Sequence, residues 1–279
     1  MKFLLSLLLL LITANALAEP VSPNILTSLE AKAHGGDPHA QFQLGQIYYD
    51  GIDVPCNFKK ALYFFQKAAL QGDDEALHML GDMYAFGLGT PKNLALAFKY
   101  QIEAADKGNE EGQYAAAISY YFGRGTRQNY PMAKKYFELA AAQDNARAQF
   151  NLGMMYYDGI GVAKNFSKAR EYFQKAAAQN YGKASFRLGE IYYYGDGVRR
   201  DLIKAHDYWG QAGNAGYAKA LLYLGFSAYF GKGVTPDSDQ AALYFNKACK
   251  ADVAEACDAL TTLKNGNMLS LPKEMAEAG

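Results

Sequence analysis

The chain has 279 residues, with 28 Lys+Arg against 28 Asp+Glu, a formal net charge of zero and 50% hydrophobic residues. That balance excludes a basic surface built for a phosphate backbone and an acidic one built to gather cations, so nucleic acid is not an expected partner. The hydrophobic share, with 22 Tyr and 16 Phe, excludes a disordered chain and is ample for a packed core.

The first stretch reads as an address. Lys2, the apolar run Phe3–Ile12 and the small-x-small site Ala16-Leu17-Ala18 predict a secretory signal peptide over residues 1–18, cut before Glu19. The run is too short to span a bilayer. No Cys stands at the start of the mature chain for a lipid anchor, and no later stretch approaches transmembrane length. Loss of Lys2 leaves 27 basic and 28 acidic residues in an exported protein, periplasmic or secreted, with no membrane span.

From there the chain repeats itself every 36 residues without an insertion. Gly51, Gly87, Gly123, Gly159, Gly195 and Gly231 fall in step, as do Ala61, Ala97, Ala133, Ala169, Ala205 and Ala241. A fixed period in this range means stacked supersecondary units that bury their apolar faces only against one another. Six units are expected at 37–72, 73–108, 109–144, 145–180, 181–216 and 217–252, each a helix–turn–helix in an all-α, α/α superhelical solenoid. Residues 25–36 match the end of a second helix and predict an N-terminal capping helix over 19–36. Residues 253–264 match a first helix and predict a C-terminal cap over 253–266, leaving 267–279 as a solvated tail.

Within a unit, Leu44, Gly45 and Tyr48 mark one face of the first helix. The Gly45 column, with Gly81, Gly153, Gly189 and Gly225, sits inside a helix at a cost of about 1 kcal/mol each, which implies a close approach by the second helix. A Gly-x-Gly turn follows, as in Gly159/Gly161. It comes after a helix and lacks a following Lys-Ser or Lys-Thr, so it serves a left-handed turn and not a phosphate cradle. Asn57, Asn93, Asn129, Asn165, Asp201 and Asp237 then stand where an N-cap of the second helix belongs. The second helix carries Ala61, Phe64 and Ala68, and ends at residue types suited to a left-handed cap: Gly72, Gly108, Asp144, Asn180, Gly216 and Asp252.

Cys249 and Cys257, eight apart across the last predicted turn, can reach each other in a helical hairpin, and an oxidising compartment would close a disulfide there. The bland alternative is two small core thiols. Cys56 has no counterpart in the other units.

Laid out in this way, the chain resembles the Sel-one-like repeat family, α/α solenoids related to tetratricopeptide repeats. The resemblance rests on Ala148, Leu152, Gly153, Tyr156, Gly159, Gly161, Val162, Asn165, Ala169, Tyr172, Ala176 and Ala177, and on their equivalents in the other units. It implies a non-catalytic adaptor whose concave surface gathers proteins, in bacterial envelopes or in host contact. A narrower similarity, of Lys-Ala-Cys-x7-Cys, is to cysteine-rich secreted members described as penicillin-binding or β-lactamase-like. There the pair recurs in most units, and here it occurs once.

Chemistry finds little support in the residues. Serine-route β-lactam hydrolysis needs Ser-x-x-Lys on a helix with Lys-Thr-Gly and Ser-Asp-Asn partners. The one candidate, Ser270–Lys273, lies in the tail with Pro272 inside it, and Ser238-Asp239 is followed by Gln240. His34, His39, His78 and His206 are scattered without metal-ligand spacing, so no metal or cofactor is expected.

The variable columns of the first helix carry the partner. By the same resemblance, the groove side should be lined by Tyr49, Phe86, Tyr121, Phe122, Met154, Tyr157, Tyr193, Tyr194, Phe226, Tyr229 and Phe230. The Phe42 column, with Phe150 and Phe186, fits the groove or the core equally well. An aromatic stripe of this kind suits a protein or peptide partner. Glycan strands of peptidoglycan are the alternative, since stacked rings also suit sugars.

Overall fold

A computed structural model of the chain describes residues 23–52 and 54–276. The predicted signal peptide therefore lies outside the described residues. Among those described, every regular element is a helix and there is no strand. In chain order they are α1 (Pro23–His34), α2 (Pro38–Asp50), α3 (Phe58–Leu70), α4 (Asp74–Phe86), α5 (Leu94–Asp106), α6 (Glu110–Phe122), α7 (Tyr130–Ala142), α8 (Ala146–Asp158), α9 (Phe166–Ala178), α10 (Gly182–Tyr194), α11 (Leu202–Asn214), α12 (Ala218–Phe230), α13 (Ser238–Lys250), α14 (Ala254–Lys264) and α15 (Lys273–Ala276). This is an all-α solenoid of helix–turn–helix repeats, with α2 and α3 the first pair.

Most helices begin where a capping side chain stands. All six Asn and Asp residues of the predicted N-cap column accept a hydrogen bond from the backbone N–H three residues on, from Asn57 to Lys60 through Asp237 to Gln240. First helices are capped in the same way by Asp37, Asp73, Asn109 and Asn145. At α10, α12 and α14 the cap position holds Tyr181, Tyr217 and Val253, with no side-chain cap bond. Asp144, Asn180 and Asp252 take positive φ at the ends of second helices, as their short polar side chains allow.

The interior glycines have a specific reason. A Cβ on Gly153 would lie 2.5 Å from the Phe173 ring, and one on Gly189 would lie 2.4 Å from Trp209. Gly45 meets Phe65 and Gly225 meets Phe245 in the same way. Phe65, Phe137, Phe173, Trp209 and Phe245 form a fully buried column on the second helices, one residue after the Phe64 column. Burial of each such ring is worth roughly 1.5–3 kcal/mol. The second glycine of the turn lets one repeat sit on the last: a Cβ on Gly161 would strike Tyr130, and one on Gly233 would strike the Leu202 carbonyl.

The chain divides into two compact units. One ends at Ser119 and takes in Gly123–Arg127; the other holds Tyr120–Phe122 and resumes at Gln128. The first is centred on Leu44, Phe65, Ala68, Leu80 and Met83. The second has one cluster around Phe173 and Leu188 and another around Trp209, Tyr223 and Phe245.

Two sequence expectations about the C-terminal end have different outcomes. Cys249 and Cys257 are joined by a disulfide, with Cα atoms 4.7 Å apart, tying α13 to α14. Cys56 is free and exposed. The solvated tail, however, is corrected: Leu269 and Leu271 pack against the last core cluster, and Met275 is inside it at 2% exposure. These three apolar side chains have an aromatic surface within reach, and burying them removes apolar area from water.

Candidate functional site

The last residues of the first helices build the candidate face. In the first unit Tyr49 is half-buried, edge-on to Phe58 at 5.5 Å and 6.4 Å from Phe65. Burial, and then the nearby charges of Asp82 and Asp50, push its phenol pKa up. Phe86, the final residue of α4, is 71% exposed.

In the second unit the same helix positions recur with more company. Tyr121 lies 5.3 Å from Tyr130 and 4.8 Å from Phe122, which is itself 55% exposed. Met154 and Tyr157 are half-buried against the Phe173 cluster, and Tyr157 meets Phe166 edge-on at 5.3 Å. The Tyr157 hydroxyl donates to Asp196 Oδ2 at 2.5 Å. Burial first, and then this bond, raise the Tyr157 pKa, so the phenol stays a donor. Close by, Arg187 Nη1 donates to Glu190 Oε2 at 2.7 Å. Burial raises the Glu190 pKa against the pull of Arg187. A small polar island thus sits among the aromatics. Sequence reasoning missed Arg187 and Asp196 in this role; the signal was that Asp196 falls in the turn one repeat after Tyr157.

Tyr194, Tyr229 and Phe230 are partly buried, with Tyr229 and Phe230 edge-on at 4.8 Å. Two expected positions differ from an open surface. Phe226 is 6% exposed because its ring packs edge-on against Phe245 at 5.1 Å. Tyr193 is 1% exposed: behind it lies Trp209 at 5.3 Å, and its hydroxyl donates to the Met275 carbonyl at 2.7 Å. The Leu269 N–H donates to the Tyr229 hydroxyl at 3.4 Å. The tail therefore runs over the face from the sixth repeat back to the fifth.

The Phe42 column resolves toward the core. Phe42 and Phe186 are buried, and Phe150 lies 5.6 Å from Phe173. Ser270 is exposed and lies outside the four-residue helix that begins at Lys273, so Ser-x-x-Lys is not presented along a helix. Among the described residues, no group of three or more His, Cys, Asp or Glu could hold a metal ion, and no helix is long and apolar enough to cross a membrane.

Paired helices in 36-residue register, with an aromatic face on the first helix of each pair, define a helical-repeat fold of the protein-interaction class. Six Sel1 repeats match at residues 38–73, 74–109, 110–145, 146–181, 182–217 and 218–253, and the chain belongs to the Sel1 repeat family. It is similar to a protective antigen of uropathogenic Escherichia coli strains displaying an SLR fold, at 31% identity and TM-score 0.82. That match covers 91% of this chain but 54% of the antigen, so this chain spans about half of its relative's length. It is also similar to a Sel1 repeat protein from Oxalobacter formigenes, at 28% identity and TM-score 0.73 over 78% of this chain and 89% of that one. An immunity protein from Pseudomonas aeruginosa shares the fold at 20% identity and TM-score 0.50, over 81% of this chain and 88% of its own. A comparison with curated proteins finds no match.

Proposed function

We propose that the protein is an exported, non-catalytic scaffold, working in the periplasm or outside the cell, that binds a protein or peptide on the aromatic ends of its first helices. The observation that carries this reading is the exposure of Phe86 and Phe122. They stand at the same repeat position and keep 71% and 55% of their surface in water beside half-buried aromatic or apolar neighbours. Large aromatic side chains left in water at a repeated position are what a recognition surface holds ready, because a rigid ring gives much contact area for little lost side-chain freedom.

Because both rings are mostly in water, replacing them leaves the fold intact. The Phe86→Ser/Phe122→Ser double variant is expected to keep the helical circular dichroism of the parent and to lose proteins that the parent captures from an envelope extract, compared by quantitative mass spectrometry. Identical capture by parent and variant would falsify this reading.

A further inference from the structure

Residues 267–276 have no counterpart in the repeat, yet the first-helix face holds them by both backbone and side chains. The Tyr193 hydroxyl donates to the Met275 carbonyl and the Tyr229 hydroxyl accepts the Leu269 N–H. These two tyrosines occupy the same position in adjacent repeats, so the segment spans one repeat of a face whose hydrogen-bonding groups recur. Leu269, Leu271 and Met275 point into the cluster around Trp209 and Tyr223. Met268, Ser270 and Lys273 are left exposed, Met268 at 89%. What is read is a backbone amide, a backbone carbonyl and apolar side chains at spacings of two and four. That is the chemistry of a peptide.

The hold is also small. One side chain is fully enclosed, two are partly covered, and the helix that presents Met275 is four residues long, too short to persist alone. Such a segment is weakly held, and the second-helix rings Phe65 and Phe173 lie in core clusters that it does not join.

We propose that the face over the fifth and sixth repeats is a binding site for an apolar linear peptide of the type Leu-x-Leu-Pro-x-x-Met carried by another protein, and that the chain's own tail is its resident competitor, displaced when that partner binds. This rests on the scaffold reading above and goes further in naming the ligand's chemistry and the present occupant. The tyrosine hydroxyls read the incoming backbone, and the cluster around Trp209 and Tyr223 takes the methionine.

The test uses the full chain and, as probe, a fluorescent synthetic peptide with the sequence of residues 267–279. A tail that fills the site nine-tenths of the time weakens apparent affinity about 10-fold, so Met275→Lys, which puts a charge where the methionine is enclosed, is expected to bind the probe about 10-fold more tightly than the parent. A probe carrying the same Met-to-Lys change is expected not to bind either protein. In the parent, saturating probe is expected to raise hydrogen exchange of the amides of residues 267–276. Equal probe affinity in parent and Met275→Lys, or a tail whose amides stay protected under saturating probe, overturns the proposal. The exchange measurement decides alone if Met275→Lys does not fold. Should the double phenylalanine variant lose its captured proteins while these measurements fail, the scaffold reading stands and only the tail's role falls.

Discussion

Glycine 153 shows how one absent side chain decides a repeat. An alanine in its place gains about 1 kcal/mol of helix propensity. The added methyl group would lie 2.5 Å from a Phe173 ring that is fully buried. Overpacking of that kind costs about 1–3 kcal/mol, so Gly153→Ala is expected to lower the urea midpoint, and Gly153→Ala with Phe173→Leu to recover much of the loss. A midpoint for the single variant at or above that of the parent would contradict the ring-on-glycine contact. Histidine 206 supplies a second residue-scale outcome. Its Nδ1 is 3.0 Å from Ser227 Oγ, and that hydroxyl spends its one proton on the Lys232 carbonyl, so Nδ1 carries the hydrogen. Burial lowers the His206 pKa below its ordinary value of 6.5. A depressed folded pKa gives stability that is present above pH 6.5 and lost as pH falls through the folded value. The melting temperature is therefore expected to drop between pH 7.5 and 5.5, and to drop less in His206→Gln. Equal drops would remove His206 from the account. The glycine column was readable as a site of close approach, but the ring that approaches was not. Phe64 and Phe65 are adjacent in a helix, and the stripe alone does not say which one meets the glycine, while Gln101 breaks the column in the second repeat.

At the scale of the element, the cap side chains account for where most helices start. Asn, Asp and Gly at fixed offsets were legible because the physics of a helix end is local. α14 is one of three exceptions, with α10 and α12, and the one that a covalent bond compensates. α14 starts at Val253 with no side-chain cap, and the Cys249–Cys257 disulfide fixes it to α13 instead. Closing so short a loop is worth about 2 kcal/mol in the chain-entropy account. Reduction with dithiothreitol is expected to raise hydrogen exchange of the α14 amides roughly 30-fold, the equivalent of that energy, while α8 and α9 exchange as before. Unchanged α14 protection after reduction would show that packing alone holds the helix.

For the molecule as a whole, the exact period made the all-α repeat fold readable before any coordinate, because each unit obeys the same packing rule. The candidate face was readable less completely. The Tyr49 column emerged from its register, but nothing in that register could show that Tyr193 is covered, since the covering segment stands outside the period and Met275 lies 82 residues from Tyr193 in sequence. Met268, Leu269, Leu271 and Met275, large apolar residues in a short segment outside the period, are the hint.

The link between the end of α14 at Lys264 and Leu269 is four residues long. A tether so short holds the tail near its own site at an effective concentration in the millimolar range. A free peptide of equal intrinsic affinity, present at micromolar levels, therefore leaves the tail in place. The proteins that displace it are those that bring a better sequence or engage further repeats at the same time. The tail sets a threshold that filters weak ligands by how many contacts they make.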